Sequence, residues 1–312
     1  MIPLKMQSAR ENISCRLCGA KDHQLILDNL VTKYHDSFAL KKCRNCSYVS
    51  TYPVPSDQLL RRYYDQNYWQ SSETKTHVPL NTFYKWRMAG IVSDIRQYAK
   101  PGSKILDWGC GDGSFVKLLR SHGYDCYGLD AYAAEQDVPY IVNATIDKPG
   151  FSENFFDIIT CFHVLEHLKS PKESLANAFK LLKANGVMIV EVPNFDSLGS
   201  RLFGKRWQPL QIPTHLSHFT PQTLHKLSQS AGQDQTVKTA FFSHRISPSA
   251  LVLSVFPSLT PKRIRAKYEG RLPLTQGVVY LFLQLLAYPF AIFGSLIHRG
   301  EIVRIYVRKS GS

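Results

Sequence analysis

From Gly102 onward the chain alternates short continuous apolar runs with stretches in which apolar residues recur every three or four positions. Continuous runs bounded by turn residues predict buried strands, and the 3.6-residue recurrence predicts amphipathic helices. Strands are expected at 104–107, 126–130, 140–142, 156–161 and 187–192. Helices are expected at 114–122 and at 173–183, the second stopped by Asn185-Gly186. A sixth strand at 236–242 and a last one at 301–307 follow. Thr220-Pro221 reads as the cap and first position of a helix over 222–231. This alternation predicts an α/β fold with a doubly wound, seven-stranded, mostly parallel sheet. Between 195 and 213, Gly199, Gly204, Trp207 and Pro209 break any period. A long loop is expected there, at the carboxyl edge of the sheet where ligands bind, placed to act as a lid.

The first strand runs into Asp107-Trp108-Gly109-Cys110-Gly111-Asp112-Gly113. Glycines at a strand-to-helix turn let backbone amides approach a ligand. Their alternate spacing is not the dinucleotide pattern, and the leading carboxylate would repel a pyrophosphate. A ligand that is zwitterionic at this point fits better. Asp130 ends the second strand, where a carboxylate can accept both ribose hydroxyls of an adenosine.

With these residues, and with Phe156-Asp157-Ile158-Ile159 leading into Val164-Leu165-Glu166-His167-Leu168, the chain resembles the class I S-adenosylmethionine-dependent methyltransferases over about 104–232 and again at 301–309. The resemblance implies that fold and S-adenosylmethionine as cofactor. It places Gly109, Cys110, Gly111 and Gly113 around the methionine moiety, Asp107 at its ammonium and Asp130 on the ribose. Asn143 stands where the family often has an aspartate against adenine. Phe162 and His163, in the loop after the fourth strand, are expected beside the transferable methyl.

Cys15-Arg16-Leu17-Cys18 and Cys43-Arg44-Asn45-Cys46 are two C-x2-C pairs, 24 residues apart. Four thiolates so paired can close a tetrahedral site around Zn2+ with no open position, so a structural role is expected. The apolar runs 25–27 and 38–40 between them read as a hairpin, giving a zinc ribbon. The ribbon resembles the N-terminal module of a methyltransferase subgroup that includes sugar and cell-surface glycan enzymes. Domain expectations are a ribbon at 1–55, a helical cap at 56–100 rich in aromatics (Tyr63, Tyr64, Tyr68, Trp69), a catalytic domain at 101–244 with 300–312, and an insertion at 245–299.

Charge sharpens the choice of partner. Residues 1–100 carry a net +7, 101–200 a net −5 and 201–312 a net +12. A nucleic-acid enzyme would more often spread basic charge over its main domain. The fourth strand also ends Thr160-Cys161-Phe162-His163 without the tetrapeptide of base amino-methylation. Nucleic acid is therefore disfavoured as a partner. The first ten residues lack the apolar core of a secretory signal, so a cytoplasmic chain with reduced cysteines is expected.

His163-Val164-Leu165-Glu166-His167 matches the inverted zinc-peptidase motif, but it follows an apolar strand directly and Ser170-Pro171 cuts it short. His215 and His218, beyond the fifth strand, are candidates for a general base or for hydrogen bonds that hold their loop. Val278 to Ile297 carries no charge, with Gln284 its one strongly polar residue, and Lys262, Arg263, Arg265, Lys267 and Arg271 precede it. The strand expected at 301–307 must return to the sheet, which argues against a single membrane span. A monotopic helix on an anionic membrane surface, or a helix packed on protein, satisfies that constraint. The expected activity is methyl transfer to oxygen or carbon of a glycan, a lipid-linked sugar or another amphipathic acceptor at the inner membrane face. A soluble sugar-nucleotide C-methyltransferase is the alternative, with an RNA methyltransferase and a non-catalytic ribbon module behind it.

Overall fold

The structure is a computed structural model that describes residues 14–63, 88–132, 138–232, 235–244, 246–260 and 274–310. Tyr64, Tyr68 and Trp69 of the expected cap, and the basic residues Lys262, Arg263, Arg265, Lys267 and Arg271, lie outside the described residues.

The catalytic sheet forms where the sequence is most continuously apolar. β4 (Lys104–Trp108), β5 (Asp125–Leu129), β6 (Ile141–Val142), β7 (Phe156–Phe162) and β8 (Leu182–Pro193) pair in parallel, while β11 (Ile302–Arg308) runs antiparallel between β8 and β10 (Thr236–Ala240). The order is β10-β11-β8-β7-β4-β5-β6. Ile105, Leu106, Ile158, Ile159, Met188 and Ile305 are buried, as strands covered on both faces require. α2 (Ser114–Ser121) buries Phe115, Val116 and Leu119 against this sheet. α3 (Pro171–Leu181) ends four residues before the expected Asn185-Gly186 stop. Leu182 is fully buried and already pairs with Phe156, so sheet pairing overrides helix propensity there.

A second, antiparallel sheet holds the N-terminus. β1 (His23–Val31) and β2 (Ser37–Cys43) form the expected hairpin, and β3 (Val49–Tyr52) follows. The fourth strand comes from the catalytic region: β9 (Ser217–His218) pairs with Val49 and Ser50. α1 (Asp57–Tyr63) begins at Ser56, whose Oγ accepts from the Leu59 N–H at 3.1 Å, and residues 88–96 form a further helix.

The expected open loop at 195–213 is largely ordered. It contains α4 (Leu198–Phe203) and two 3-10 turns, and buries Trp207, Pro209 and Leu210. Glu301, at the mouth of β11, fixes it by accepting from Trp207 Nε1 at 2.7 Å and from the Gly199 N–H at 2.9 Å. α5 (Pro221–Ser230) starts at Thr220 with a reciprocal cap to Thr223. α6 (Ser247–Val255) packs on α7 (Leu274–Leu296). α7 buries Gln284, Ala291 and Gly294 and exposes Val279, Phe282, Leu286, Phe290, Phe293 and Leu296 on its other face.

Candidate active site

Gly109, Gly111 and Gly113 all have positive φ, at 82°, 54° and 70°. At Gly109 a side chain is excluded twice over, because a Cβ would also lie 2.2 Å from Val164 Cγ2. Asp130 ties this turn to β5. Its Oδ2 accepts from the Gly111 N–H at 2.9 Å and its Oδ1 from the Tyr132 N–H at 2.8 Å. Each oxygen keeps a second lone pair with which to accept a hydroxyl. The residues thus fit the ribose of the expected cofactor.

A pocket of about 1020 Å3 opens at the carboxyl ends of these strands. Of the expected cofactor residues, Gly109, Cys110, Gly111, Asp130 and Phe162 line it. Asp107, Gly113 and Asn143 do not. Asp107 is buried and accepts from Thr160 Oγ1 at 2.8 Å, while Ala144 to Asp147 border the pocket where Asn143 was expected. Burial first, then the charges of Asp107 and Asp130, push the Cys110 thiol up, which removes it as a nucleophile. Asp130→Ala is expected to weaken donor affinity by about 2–3 kcal/mol, the loss of charge-assisted hydrogen bonds. Calorimetry on that variant checks this, and unchanged affinity would remove Asp130 from the donor site.

The three expected histidines fall in three environments. His163 lines the pocket between two carboxylates, with Nδ1 3.3 Å from Glu166 Oε1 and Nε2 3.0 Å from Glu191 Oε1. Burial lowers its pKa, but the hydrogen bonds and charges of Glu166 and Glu191 outweigh burial and lift it to about 9. At neutral pH it is an imidazolium with both nitrogens engaged, unable to act as a base. Its φ of 59° is held by its backbone N–H, which donates to the Glu191 carbonyl at 2.8 Å. His215 also lines the pocket. Burial, then the neighbouring histidines, keep its pKa well below the usual value, so it is neutral. His218 does not line the pocket: it is buried in β9 with Nε2 3.0 Å from Thr51 Oγ1, and burial lowers it to about 3.

Glu166, His167, Glu191 and Arg304 belong to this cluster and were not singled out from the sequence. Two signals existed. Glu166 and His167 lie in the motif set aside as a peptidase look-alike. Glu191 and Arg304 are charges inside two otherwise apolar strands, and they pair directly in register. Helices α6 and α7 contribute Ala250, Leu253 and Tyr280 to the pocket, which no local motif announces.

The four cysteines meet as the spacing predicts. Cys15 Sγ lies 3.5 Å from Cys46 Sγ and Cys18 Sγ 3.6 Å from Cys43 Sγ, and one group of four sulfurs forms within 4.8 Å. Such a set could hold a metal ion. Slight burial raises Cys18, but hydrogen bonds from the Ala20 N–H and Asn45, with those of Cys46 and Cys43, bring it down to about 6. The cluster is joined to the pocket wall through β3. Thr51 Oγ1 donates to the His215 carbonyl at 2.6 Å, the Thr51 N–H donates to the Leu216 carbonyl at 3.1 Å, and Tyr48 bonds Ser217.

Residues 80–234 match the family described as a methyltransferase domain. A ubiquinone biosynthesis O-methyltransferase of Roseobacter denitrificans is 26% identical over 198 residues, 54% of this chain and 79% of its own length. One of Photobacterium profundum is 30% identical over 97 residues, 27% of this chain and 41% of its own length, so the match spans less than half of that relative. Among solved structures, a SAM-dependent methyltransferase from Archaeoglobus fulgidus is 18% identical, with a TM-score of 0.46 and coverage of 72% of this chain and 94% of that one. A 1,6-didemethyltoxoflavin-N1-methyltransferase from Burkholderia thailandensis is 12% identical, with a TM-score of 0.48 and coverage of 91% and 100%. With its matched domain and its sheet order, the chain is an S-adenosylmethionine-dependent methyltransferase of the class I fold.

Proposed function

We propose that the enzyme methylates a hydroxyl oxygen of an amphipathic small molecule presented at a membrane surface. The observation that carries this reading is the course of the pocket. It runs from the glycine turn past the histidines to Ala250 and Leu253 on the buried α6 and Tyr280 on α7, whose outer face is bare and apolar. A polar head beside the histidines and an apolar tail along α6 and α7 would match that lining. The names of the relatives support oxygen as the methylated atom and a small molecule, rather than a glycan, as acceptor.

The sulfonium of the donor supplies an activated methyl group, so this chain needs no nucleophile of its own. Asp130, itself held by the Gly111 amide, would take the ribose side. Val164, packed over Gly109, would shape the methionine side. Phe162 and the acceptor wall would exclude water and orient the hydroxyl toward the methyl group. Neutral His215 is the expected histidine placed to accept the hydroxyl proton; His163 and His218 are not.

The four cysteines are read as a structural zinc site. Sulfurs 2.3 Å from one ion in a tetrahedron stand about 3.8 Å apart, close to the separations found, and four thiolates leave no open position. The exposed apolar residues of α7, at 278, 279, 282, 285, 286, 290, 292, 293 and 296, form one broad face suited to the interface plane of a bilayer. Five basic residues just before it in sequence suit anionic headgroups at about 1 kcal/mol each.

Two measurements test these readings. Labelled S-adenosylmethionine incubated with enzyme and membrane extract should put label into the organic phase; label confined to nucleic acid or to aqueous sugar nucleotides would overturn the acceptor class. The purified protein should float with anionic vesicles, loosen partly in high salt and come off in detergent. Changing Phe282 and Phe290 together to Glu should abolish flotation. Wild-type protein that stays dispersed and monomeric beside vesicles at low salt would show that α7 packs on protein.

A further inference from the structure

We propose that Glu166, His167 and His215 bind one divalent transition-metal ion at the pocket wall, separate from the four-cysteine cluster. One ligand atom from each residue lies within 4.8 Å of the other two. Small side-chain rotations would bring all three to about 2.1 Å from a shared ion.

Each residue is held as a ligand would be. Glu166 is 1% exposed; its Oε1 takes the His163 contact, and its Oε2 is buried with no hydrogen-bond partner. A buried carboxylate oxygen left so is a place for an ordered water or an ion, and the two imidazoles beside it favour the ion. His167 Nδ1 lies 3.0 Å from the Thr214 carbonyl. A carbonyl only accepts, so Nδ1 carries the proton and Nε2 the lone pair. Metal-ligating histidines are characteristically oriented in this way. The rings meet edge to face at 4.6 Å, and the Leu216 N–H donates to the Glu166 carbonyl at 2.7 Å, locking the two segments together.

Two imidazoles and one carboxylate suit zinc, iron, cobalt or manganese better than calcium or magnesium. Three protein ligands leave a position open, and His167 and His215 line the pocket, so the open side faces the acceptor space. A hydroxyl oxygen bound there would lose its proton more readily, so with the ion in place the metal takes over the activation otherwise assigned to His215, whose lone pair it occupies. That consequence rests on the acceptor reading above; the ion site itself does not.

Co2+ titrated into protein whose cysteine cluster is loaded with zinc is the test. One further equivalent should bind, with visible absorption of nitrogen and oxygen ligation and no near-ultraviolet thiolate band. Glu166→Gln and His215→Ala should each weaken that equivalent by at least about 100-fold. Donor affinity, measured on the same samples, should hold and so report that the variants are folded. No further equivalent in the wild type, or one that survives both substitutions, overturns the site. Should a variant lose donor binding as well, the wild-type stoichiometry decides alone. Bound Co2+ without methylation of any hydroxylated acceptor would retire the acceptor reading and keep the site.

Discussion

Cys43→Ser is expected to abolish methyl transfer while leaving donor affinity largely unchanged. Cys43 is fully buried and its sulfur stands 3.6 Å from that of Cys18. Structural Cys-rich zinc sites contribute about 10–16 kcal/mol of apparent binding free energy, which is folding free energy for the module they hold. With one ligand gone the proposed ion is lost, and the three thiols that remain, Cys15, Cys18 and Cys46, no longer close the two knuckles on each other. β3 then loosens, and with it the bonds from Thr51 and Tyr48 that fix residues 215–217. His215 leaves the pocket wall. The residues proposed to hold the donor sit at the ends of β4 and β5, away from this seam, and should keep their geometry. Zinc analysis, calorimetry with the donor and an activity assay on one preparation check all three parts. A variant that still methylates would uncouple the cysteine cluster from the acceptor wall.

Glu191→Ala should cost about 3–5 kcal/mol of stability, the range for breaking a buried ion pair by removing one partner. Glu191 is 2% exposed and faces Arg304, 4% exposed, in direct register across β8 and β11. Arg304 Nε donates to its Oε2 at 2.9 Å and Nη2 bonds the same oxygen, while Oε1 meets His163. Removing the carboxylate strands a guanidinium and takes from His163 one of the two groups that keep it charged. Arg304 keeps Asp94 at 3.0 Å, which places the loss toward the lower end of the range. A urea midpoint equal to that of the wild type would show that the pair contributes nothing. Glu191→Gln, which retains acceptor and shape, should lose less.

The catalytic sheet was legible because its strands are local apolar runs, and the glycine turn because positive φ at close quarters demands glycine in any chain. The cysteine cluster was legible from spacing alone. What escaped depends on residues far apart in sequence. β9 is two residues long, carries no periodicity of its own and is a strand only because Val49 and Ser50 lie beside it. The sequence therefore offered His218 as a base when its ring belongs to Thr51. Residues 195–213 read as an open loop because the group that orders them, Glu301, arrives a hundred residues later. Asp107 heads the glycine run, yet its carboxylate turns inward to Thr160, and no pattern along a strand distinguishes a carboxylate below the turn from one above it. The membrane-like run was visible, but whether its apolar residues face inward or outward is a property of packing, and only the exposed face of α7 answers it.

The place of β11 bears on how the enzyme is made. It is the last strand of the chain, yet it lies inside the sheet, hydrogen-bonded to β8 on one side and β10 on the other. Until it leaves the ribosome, β8 presents residues 187–193 as an apolar edge with unpaired backbone groups, a template for pairing with other chains. The bare helix α7 emerges just ahead of it. Until β11 docks, the chain thus exposes an open apolar sheet edge and a bare apolar helix together, and protein refolding from denaturant should aggregate, or bind a holding chaperone or bilayer, at that stage. Refolding yield with and without anionic vesicles would show it.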